Sequence, residues 1–242
     1  MEAVRPEISV VAPAYNEAAT LEPLVEGLHR ALAPLGRPYE IVLVDDGSTD
    51  DTGRVIERLA AADPRVRGVW LAANAGQSAA LFAGFEAARG EILVTIDADL
   101  QNDPADVPSL LAALEGADAV CGIRRPRCDP LATRLASRVA NWLRDRLLHD
   151  GIVDTGCSLK ALRRRDALRL PLFRGMHRFI PALLQLEGRR VAQVPVRHAP
   201  RRAGVSKYRA VRGRALQGLV DLLGVFWLKR RRPVYRVERR SP

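Results

Sequence analysis

Residues 92–102 read ILVTIDADLQN, and the organisation of the whole chain can be interpreted from this stretch. The apolar run at its start, residues 92–96, has the length and composition of a strand that is buried on both faces. Two carboxylates, Asp97 and Asp99, follow where this strand ends. Because ligands of open α/β sheets bind outside the carboxyl ends of the strands, we expect both acids at a binding cleft.

Two carboxylates in so short a turn repel each other unless a cation lies between them. Asp97, Asp99 and Gln101 together offer hard oxygen ligands, which suit Mg²⁺ or Mn²⁺. A cation held by few protein ligands usually completes its shell with phosphates, which indicates a nucleotide diphosphate donor. The alternative is an acidic turn that caps the next helix, since Asn102-Asp103-Pro104 is typical of a helix start.

Strand-like and helix-like patterns alternate along the chain. Apolar runs predict strands over residues 8–12, 41–44, 66–71, 92–96, 117–121 and 191–196. Segments with apolar residues at helical spacing follow most of these runs, and Ser48 or Thr49 is predicted to cap the helix after the second strand. The alternation predicts an α/β fold with a mostly parallel sheet and helices on both faces.

Polar residues gather where the first, second and fourth strands end. Residues 13–17, PAYNE, follow the first strand, and Asp45 and Asp46 follow the second. Because these ends lie on one edge of a parallel sheet, we expect their side chains to share a cleft with Asp97 and Asp99. The sequence contains neither GxGxxG nor GxxxxGK[ST], so a dinucleotide-binding or P-loop site would lack its glycine loop.

The net charge of +10 is concentrated near the C-terminus. Residues 197–242 carry 14 Lys and Arg against two acids, whereas the rest of the chain is close to neutral. An anionic membrane surface or a nucleic acid would suit this segment, and a solubilising tail is the alternative. Apolar residues recur there at helical spacing: Leu216, Leu219, Val220, Leu223, Phe226 and Trp227. We therefore predict a domain over residues 1–210 and a basic amphipathic segment over residues 211–242.

The cysteines indicate a reducing compartment. Cys121, Cys128 and Cys157 are odd in number and lack the spacing of a zinc site, so neither a zinc site nor a disulfide framework is expected. The N-terminus has no apolar stretch behind a basic start, so no signal peptide is expected either. A cytosolic location fits these features.

Seven short motifs together resemble the family 2 glycosyltransferases, which have the GT-A fold. They occur in the family's order: VVAPAYNE, VDDGSTDDT, NAGQSAAL, DADLQNDP, DTGCSLKALRR, MHRFIPAL and RRAGVSKY. The resemblance is greatest to the polyprenyl-phosphate glycosyltransferases, the dolichol-phosphate mannosyltransferase-like group. It implies an inverting transfer of a sugar from a UDP- or GDP-sugar to a polyprenyl phosphate.

The resemblance also implies a donor site. Four residues match positions that hold the base and the ribose: Pro13, Tyr15, Glu17 and Asp46. Three match the metal-binding triplet, which would hold Mg²⁺ or Mn²⁺ against the diphosphate: Asp97, Asp99 and Gln101. Three match a loop that closes over the diphosphate: Arg202, Ser206 and Lys207.

For the acceptor, the resemblance implies two arginines and one acid. Arg124 and Arg138 match residues that receive the acceptor phosphate, which suits the planar fork of a guanidinium. Asp154 matches an acid near the sugar. On the residues alone, each arginine is better interpreted as a solvated surface charge, and the alternative for Asp45 and Asp46 is a pair of turn residues that bind backbone amides and cap a helix.

Two other functions stay open on the sequence. The acceptor could be a glycan or another lipid, in which case loss of Arg138 should have no effect on activity. A non-catalytic protein could use the basic tail to bind nucleic acid. The acidic clusters at the strand ends would repel a phosphate backbone, however, so no nucleic-acid partner is expected.

The C-terminal segment differs from the polyprenyl-phosphate group, whose members often carry two or more transmembrane helices after the SKY motif. Residues 215–228 include Asp221 and two glycines and are shorter than the ~20 residues that span a bilayer. We expect this segment to lie in the membrane interface or to dock on the domain or a second subunit. The expected location is cytoplasmic and peripheral, on the inner face of the cell membrane, with a membrane protein or a second copy of the chain as candidate partner.

Overall fold

The computed structural model describes residues 5–125, 141–199 and 211–231, and for residues 211–216 the backbone alone. Four residues that the motifs single out lie outside these ranges: Arg138, Arg202, Ser206 and Lys207. Their roles stay predictions, and so does the division of the chain at residue 210.

Seven strands of the described chain form one sheet. They are β1 Ile8–Ala14, β2 Tyr39–Asp45, β3 Val66–Trp70, β4 Ile92–Thr95, β5 Ala119–Arg124, β6 Lys160–Arg163 and β7 Val191–Val196. The helices are α1 Ala18–Leu32, α2 Thr52–Ala62, α3 Gln77–Ala87, α4 Val107–Ala113, α5 over residues 141–148, α6 Arg164–Ala167, α7 Met176–Leu186 and α8 Val211–Arg231.

The strand order is β3-β2-β1-β4-β6-β5-β7. Neighbouring strands run parallel, except that β6 is antiparallel to both β4 and β5. The other described strands therefore end on one edge of the sheet, and β6 begins on that edge at Lys160. Sequence periodicity does not identify β6, because KALR is too short to show a clear alternation.

The sheet is buried on both faces, which explains the continuous apolar runs of its central strands. Val10 belongs to the core under α1, α2 and α4, whereas the next residue, Val11, belongs to the core under α3, α7 and α8. Leu43 and Val42 divide between the two faces in the same way. The predicted fold class, a mostly parallel sheet with helices on both faces, is confirmed.

The two helix starts predicted from the sequence have different outcomes. Asp103 accepts a hydrogen bond from the amide of Ala105 (2.9 Å), so the turn after residue 102 does begin a helix. The prediction that Ser48 or Thr49 caps α2 is wrong, because α2 begins at Thr52. The Ser48 hydroxyl instead accepts a hydrogen bond from the backbone amide of Asn16 (2.9 Å), which joins the loops after β1 and β2.

Helix α8 packs on the domain mainly through residues that lie outside the apolar face predicted from the sequence. Leu222 and Val225 are buried against the core that contains α7, and Phe226 packs on it in part. The other described members of the predicted face are exposed: Leu219, Val220, Leu223 and Trp227. In the described part of the chain, no helix is both long enough and apolar enough to cross a membrane.

Candidate active site

A cleft of about 670 Å³ lies at the edge of the sheet where the parallel strands end. The structure brings eight of the predicted residues to its walls: Pro13, Tyr15, Glu17, Asp46, Asp97, Asp99, Gln101 and Arg124. They come from the ends of β1, β2, β4 and β5 and from the turns that follow. This common position results from the parallel order of the strands, as expected from the sequence.

The loop after β1 is fixed to the loop after β2. The backbone amide of Glu17 donates to the Thr52 hydroxyl (2.8 Å), and the amide of Thr49 donates to the Asn16 side chain (2.8 Å). Asn16 has a φ of 54°, a left-handed conformation that Asn tolerates better than most residues. These contacts hold Tyr15 and Glu17 at the cleft wall.

Asp46 organises the loop before α3. Its carboxylate accepts hydrogen bonds from the backbone amides of Ala75 (2.8 Å) and Gly76 (3.0 Å) and from the Asn74 side chain (3.0 Å). Burial raises the pKa of Asp46, while the two amides act in the opposite direction. Gly47 has a φ of 66°, and a Cβ there would lie 2.5 Å from Ala73 C. The loop before α3 can therefore approach the loop after β2 this closely only because residue 47 is a glycine.

Asp97 is the most strongly perturbed acid in the cleft. Burial, and after it the charge of Asp99, raises the pKa of Asp97 to about 6. Gln77 at the start of α3 donates from Nε2 to Asp97 Oδ1 (2.7 Å). A carboxylate in this position gains from any cation that enters the cleft, because a cation favours the ionised form.

The turn after Asp97 fixes the position of the second carboxylate, Asp99. Leu100 has a φ of 59°, an uncommon conformation for a residue with a side chain, and the amide of Gln101 donates to Asp99 Oδ1 (3.2 Å). Asp99 and Gln101 both line the cleft beside Asp97.

These three residues suit a divalent cation by their chemistry, although they do not form a complete protein site. Within residues 5–125, 141–199 and 211–231, no group of three or more His, Cys, Asp or Glu could hold a metal ion. Two carboxylates and one amide oxygen leave several coordination positions for other ligands. That pattern is typical of Mg²⁺ sites that also bind phosphates.

Arg124 and Asp154 form a buried bidentate ion pair. Arg124 Nε lies 2.8 Å from Asp154 Oδ2, and Nη2 lies 2.8 Å from Oδ1. The carboxylate side chain is 4% exposed and the arginine 15%. Gly156 makes room for the pair, because a Cβ there would lie 2.9 Å from Arg124 Nη2. Asp154 therefore lies against Arg124, and its carboxylate fixes the guanidinium at the cleft wall.

Several cleft side chains have no role assigned from the sequence: Gln77, Ser158, Lys160, His177 and Arg178. Lys160 is buried, donates from Nζ to the Cys157 carbonyl and lowers the pKa of Asp97, against the effects of burial and Asp99. All five lie within the motifs NAGQSAAL, DTGCSLKALRR and MHRFIPAL. The sequence indicates these five residues only through their membership of a motif. Which side chains of a motif reach the cleft is determined by the fold.

His177 has the contacts of a structural residue at the cleft wall. Burial, followed by the charges of Arg178 and Lys160, lowers the pKa of His177 to about 3, so the ring is neutral at pH 7. Its Nδ1 lies 2.8 Å from the Ser78 hydroxyl. That hydroxyl also accepts a hydrogen bond from the amide of Gly175 (3.1 Å), which ties the start of α7 to α3.

Two similar proteins of known activity are undecaprenyl-phosphate 4-deoxy-4-formamido-L-arabinose transferases. The one from Klebsiella pneumoniae subsp. pneumoniae is 41% identical over 208 residues, which is 85% of this chain and 64% of that protein. The one from Shewanella sediminis is 41% identical over 203 residues, 83% of this chain and 61% of that protein. The chain thus spans less than two thirds of the length of these relatives.

Structures of glucosyl-3-phosphoglycerate synthase from Mycobacterium tuberculosis share the fold. The complex of that enzyme with Mn²⁺, UDP and phosphoglyceric acid has a TM-score of 0.70 and 25% identity, covering 96% of this chain and 81% of that one. The complex of the same enzyme with Mg²⁺ and UDP has a TM-score of 0.68 and 27% identity, and the match covers 92% of this chain and 81% of that one.

The family model for glycosyl transferase family 2 matches residues 9–169. This range begins in β1, ends beyond β6 and contains the predicted residues that line the cleft from Pro13 to Arg124. Because the match covers more than half of the 242 residues, the chain belongs to glycosyl transferase family 2.

Proposed function

We propose that the chain is an inverting glycosyltransferase that moves a sugar from a nucleotide diphosphate-sugar to a polyprenyl phosphate. The observation that carries the proposal is the acidic pair Asp97 and Asp99 in a cleft at the carboxyl edge of the sheet. Family membership supports a sugar transfer. The two relatives, both named as undecaprenyl-phosphate transferases, support a polyprenyl phosphate as acceptor.

The donor would lie along the loops after β1 and β2. Pro13, Tyr15 and Glu17 form one wall, where a carboxylate can accept hydrogen bonds from ribose hydroxyls or a base N–H. Asp46 adds a second carboxylate to the wall and holds the neighbouring loop in place. The donor is a UDP- or GDP-sugar, and the complexes of the Mycobacterium tuberculosis synthase with UDP are a precedent for the first.

We propose that Asp97, Asp99 and Gln101 hold Mg²⁺ or Mn²⁺ together with the donor diphosphate. The cation would offset negative charge on the departing diphosphate. The structures of the related synthase in complex with Mn²⁺ or Mg²⁺ support this choice of metals. Gln77 orients the Asp97 carboxylate through its 2.7 Å hydrogen bond.

The acceptor phosphate needs no general base. Its second pKa is about 6, by analogy with other phosphate monoesters, so it is largely dianionic at neutral pH. One phosphate oxygen forms a bond to the anomeric carbon while the bond from that carbon to the diphosphate oxygen breaks. The nucleoside diphosphate leaves with the electron pair, and attack from the opposite side inverts the anomeric centre. Because the transition state resembles an oxocarbenium ion, charge stabilisation by the cleft dominates catalysis.

Residues outside the described ranges complete the proposal. Arg138 would bind the acceptor phosphate together with Arg124, which Asp154 positions. Arg202, Ser206 and Lys207 would close over the donor diphosphate and exclude water. The enzyme would work in the cytoplasm, attached peripherally to the inner face of the cell membrane, because the polyprenyl tail of its acceptor stays in the bilayer.

A donor panel tests the proposal. Purified protein is incubated with UDP- and GDP-sugars, a short-chain polyprenyl phosphate and Mg²⁺, Mn²⁺ or excess chelator, and the products are identified by mass spectrometry. We expect a polyprenyl-phosphate sugar only with metal, and a loss of roughly a hundredfold or more in Asp99→Ala, because the leaving-group charge is then poorly compensated. Asp51→Ala, which removes an exposed acid that does not line the cleft, is the control.

Two outcomes would contradict the proposal. Full activity in excess chelator would exclude the metal role of Asp97 and Asp99. Transfer to glycans or to phosphate-free lipids, without transfer to the polyprenyl phosphate, would keep the donor site and replace the acceptor.

A further inference from the structure

A second cavity of about 430 Å³ adjoins the cleft. Its walls are the start of α3, residues 172–178 and one side of α8, from which Gln217 and Asp221 face the cavity. Its lining shares several residues with the cleft, among them Gln77, His177 and Arg178. A ligand in the second cavity would therefore reach the cleft past Arg178.

Arg178 and Arg174 give this cavity an anion-binding character. Within the described ranges, neither side chain makes an ion pair or a hydrogen bond, and Arg178 is only partly exposed. Arg124 lines the neighbouring cleft, where the buried carboxylate of Asp154 holds its guanidinium in place. Arg178 Nη1 lies against α8, 4.0 Å from where a Cβ of Gly218 would be. The charge of Arg178 lowers the pKa of Asp221, against the effect of burial, but the two side chains form no ion pair, so the guanidinium keeps its hydrogen-bond donors for a phosphate.

The helix that closes the cavity also presents an apolar surface. Gln217 and Asp221 face the cavity, and Leu222 and Val225 are buried against the domain. The remaining side of the helix exposes Leu219, Val220, Leu223 and Trp227. An anion-binding cavity and an apolar strip on the helix that closes it fit an amphiphile with a phosphate head and a hydrocarbon chain.

We propose that the second cavity admits the polyprenyl phosphate acceptor, that Arg178 binds its phosphate at the junction with the cleft, and that its chain leaves along the exposed side of α8. This inference rests on the proposed function and adds an acceptor route to it. Arg174, an exposed residue of the cavity wall, attracts the phosphate. Arg178 holds it where the cleft begins, so that the phosphate meets the sugar from the side opposite the diphosphate.

The test measures binding and turnover separately. A fluorescent short-chain polyprenyl phosphate is titrated with the full chain in detergent and followed by anisotropy, and UDP or GDP with Mn²⁺ is titrated by calorimetry. Arg178→Ala should weaken binding of the lipid phosphate roughly ten- to a hundredfold, the usual range for a lost hydrogen bond to a charged group, while nucleotide affinity changes less than twofold. Arg178→Lys, which retains the charge without the fork, should recover part of the loss.

Arg54→Ala, which removes an exposed arginine of α2 on the other face of the sheet, is the matched control and should change neither affinity. Leu223→Ser/Trp227→Ser should weaken binding of the lipid, and inorganic phosphate at the same concentration should not displace it. In the transferase assay, Arg178→Ala should raise the acceptor KM with the donor KM unchanged.

Three results would overturn the inference. Equal lipid affinity for Arg178→Ala and the wild type would remove Arg178 from the acceptor site and leave the proposed function intact. Displacement of the probe by inorganic phosphate at equal concentration would exclude the route along α8. If the wild type binds nucleotide with Mn²⁺ but no polyprenyl phosphate, both the inference and the proposed acceptor fail.

Discussion

At the scale of single residues, the ionised carboxylate of Asp97 in the cleft lowers the stability of the folded chain. Asp97 loses contact with water on folding and lies near the negative charge of Asp99. Its ionised form is therefore less favourable in the folded chain than in the unfolded chain. Such perturbed acids are frequent at functional sites. The cost is tolerable for a residue whose carboxylate is needed by a ligand.

Asp97→Asn should therefore stabilise the protein when metal and nucleotide are absent. The folded pKa of about 6 lies above the usual aspartate pKa of 3.8, so the destabilisation is fully present above pH 6 and disappears as the pH falls below 3.8. Two pKa units correspond to about 3 kcal/mol, and we expect a gain of about 1–2 kcal/mol at pH 7.5, because the side chain keeps some contact with solvent. Urea unfolding of both proteins in chelator, at pH 7.5 and at pH 4, measures this difference in the free energy of unfolding.

The control for this change is Asp51→Asn, an exposed acid, which should alter stability by no more than a few tenths of a kcal/mol. A gain for Asp97→Asn that is equally large at pH 4 would show that relief of charge is not its cause.

The ion pair between Arg124 and Asp154 predicts strong coupling. Arg124→Ala leaves a carboxylate buried without its main cation, and we expect a loss of about 3 kcal/mol in the free energy of unfolding. The double variant with Asp154→Ala should lose much less than the sum of the two single changes, since no buried charge remains. Chemical unfolding of the four proteins gives the coupling energy.

The exposed pair Arg54 and Asp51 is the matched comparison, for which a coupling of no more than about 1 kcal/mol is expected. Additive losses at Arg124 and Asp154 would mean that the ion pair contributes little to stability.

Residue types could be predicted from the sequence better than residue contacts. Asp45, Asp46, Asp97 and Asp99 were predicted to share one cleft because strand ends of a parallel sheet meet. All but Asp45 line it; the Asp45 carboxylate instead accepts a hydrogen bond from the Ser48 amide (2.9 Å). The hydrogen bonds from Asp46 to the loop before α3 could not be predicted, since they join residues 28 to 30 positions apart through tertiary packing. Arg178 was missed because a helix pattern does not reveal which residue faces a cavity.

At the scale of the elements, α3 lies close to the sheet because it carries a glycine. A Cβ on Gly84 would overlap the Val11 side chain and lie 3.0 Å from Val44 Cγ2. Gly84→Ala should therefore destabilise the protein by about 1–3 kcal/mol, even though alanine favours the helix by about 1 kcal/mol. Thermal unfolding is a sufficient measurement.

Gly224→Ala in α8 is the matched change, because nothing lies within 4 Å of its Cβ position. It should be neutral or stabilising. A similar stabilisation by Gly84→Ala would show that α3 can move away from the sheet at no cost.

Helix α8 shows the limit of pattern reading for one element. Its apolar residues predict a helix with one apolar face, for the membrane interface or for docking, but the helix is apolar on more than one side. The buried residues Leu222 and Val225 lie outside the predicted face. Short elements have the opposite problem. Strand β6 has four residues, too few for any periodicity to stand out.

At the scale of the whole molecule, basic and apolar surfaces at the C-terminal end predict reversible binding to anionic membranes. Each basic residue near such a surface contributes about 1 kcal/mol, so residues 229–232 could add roughly 4 kcal/mol before losses to geometry and salt. In liposome flotation at low salt, the full chain should float with anionic vesicles and be released as the ionic strength rises.

Leu223→Ser/Trp227→Ser should reduce the floating fraction while the docked face of α8 stays intact. Trp70→Ser, which removes an exposed tryptophan from β3, should float like the wild type. If the wild type does not float with anionic vesicles at low salt, the predicted membrane binding is wrong.

The antiparallel strand β6 has a consequence for how the chain is synthesised. β5 does not touch β4 along the sheet; residues 160–163 lie between them, and β7 is joined to the rest of the sheet only through β5. While the ribosome is still adding residues 126–159, β4 is an open edge with unpaired backbone groups, which invites pairing with other chains. Nascent chains stopped before residue 160 should therefore aggregate, and those extended past the β6 residues should not. β5 and β7 can therefore join the sheet only once β6 has paired with β4.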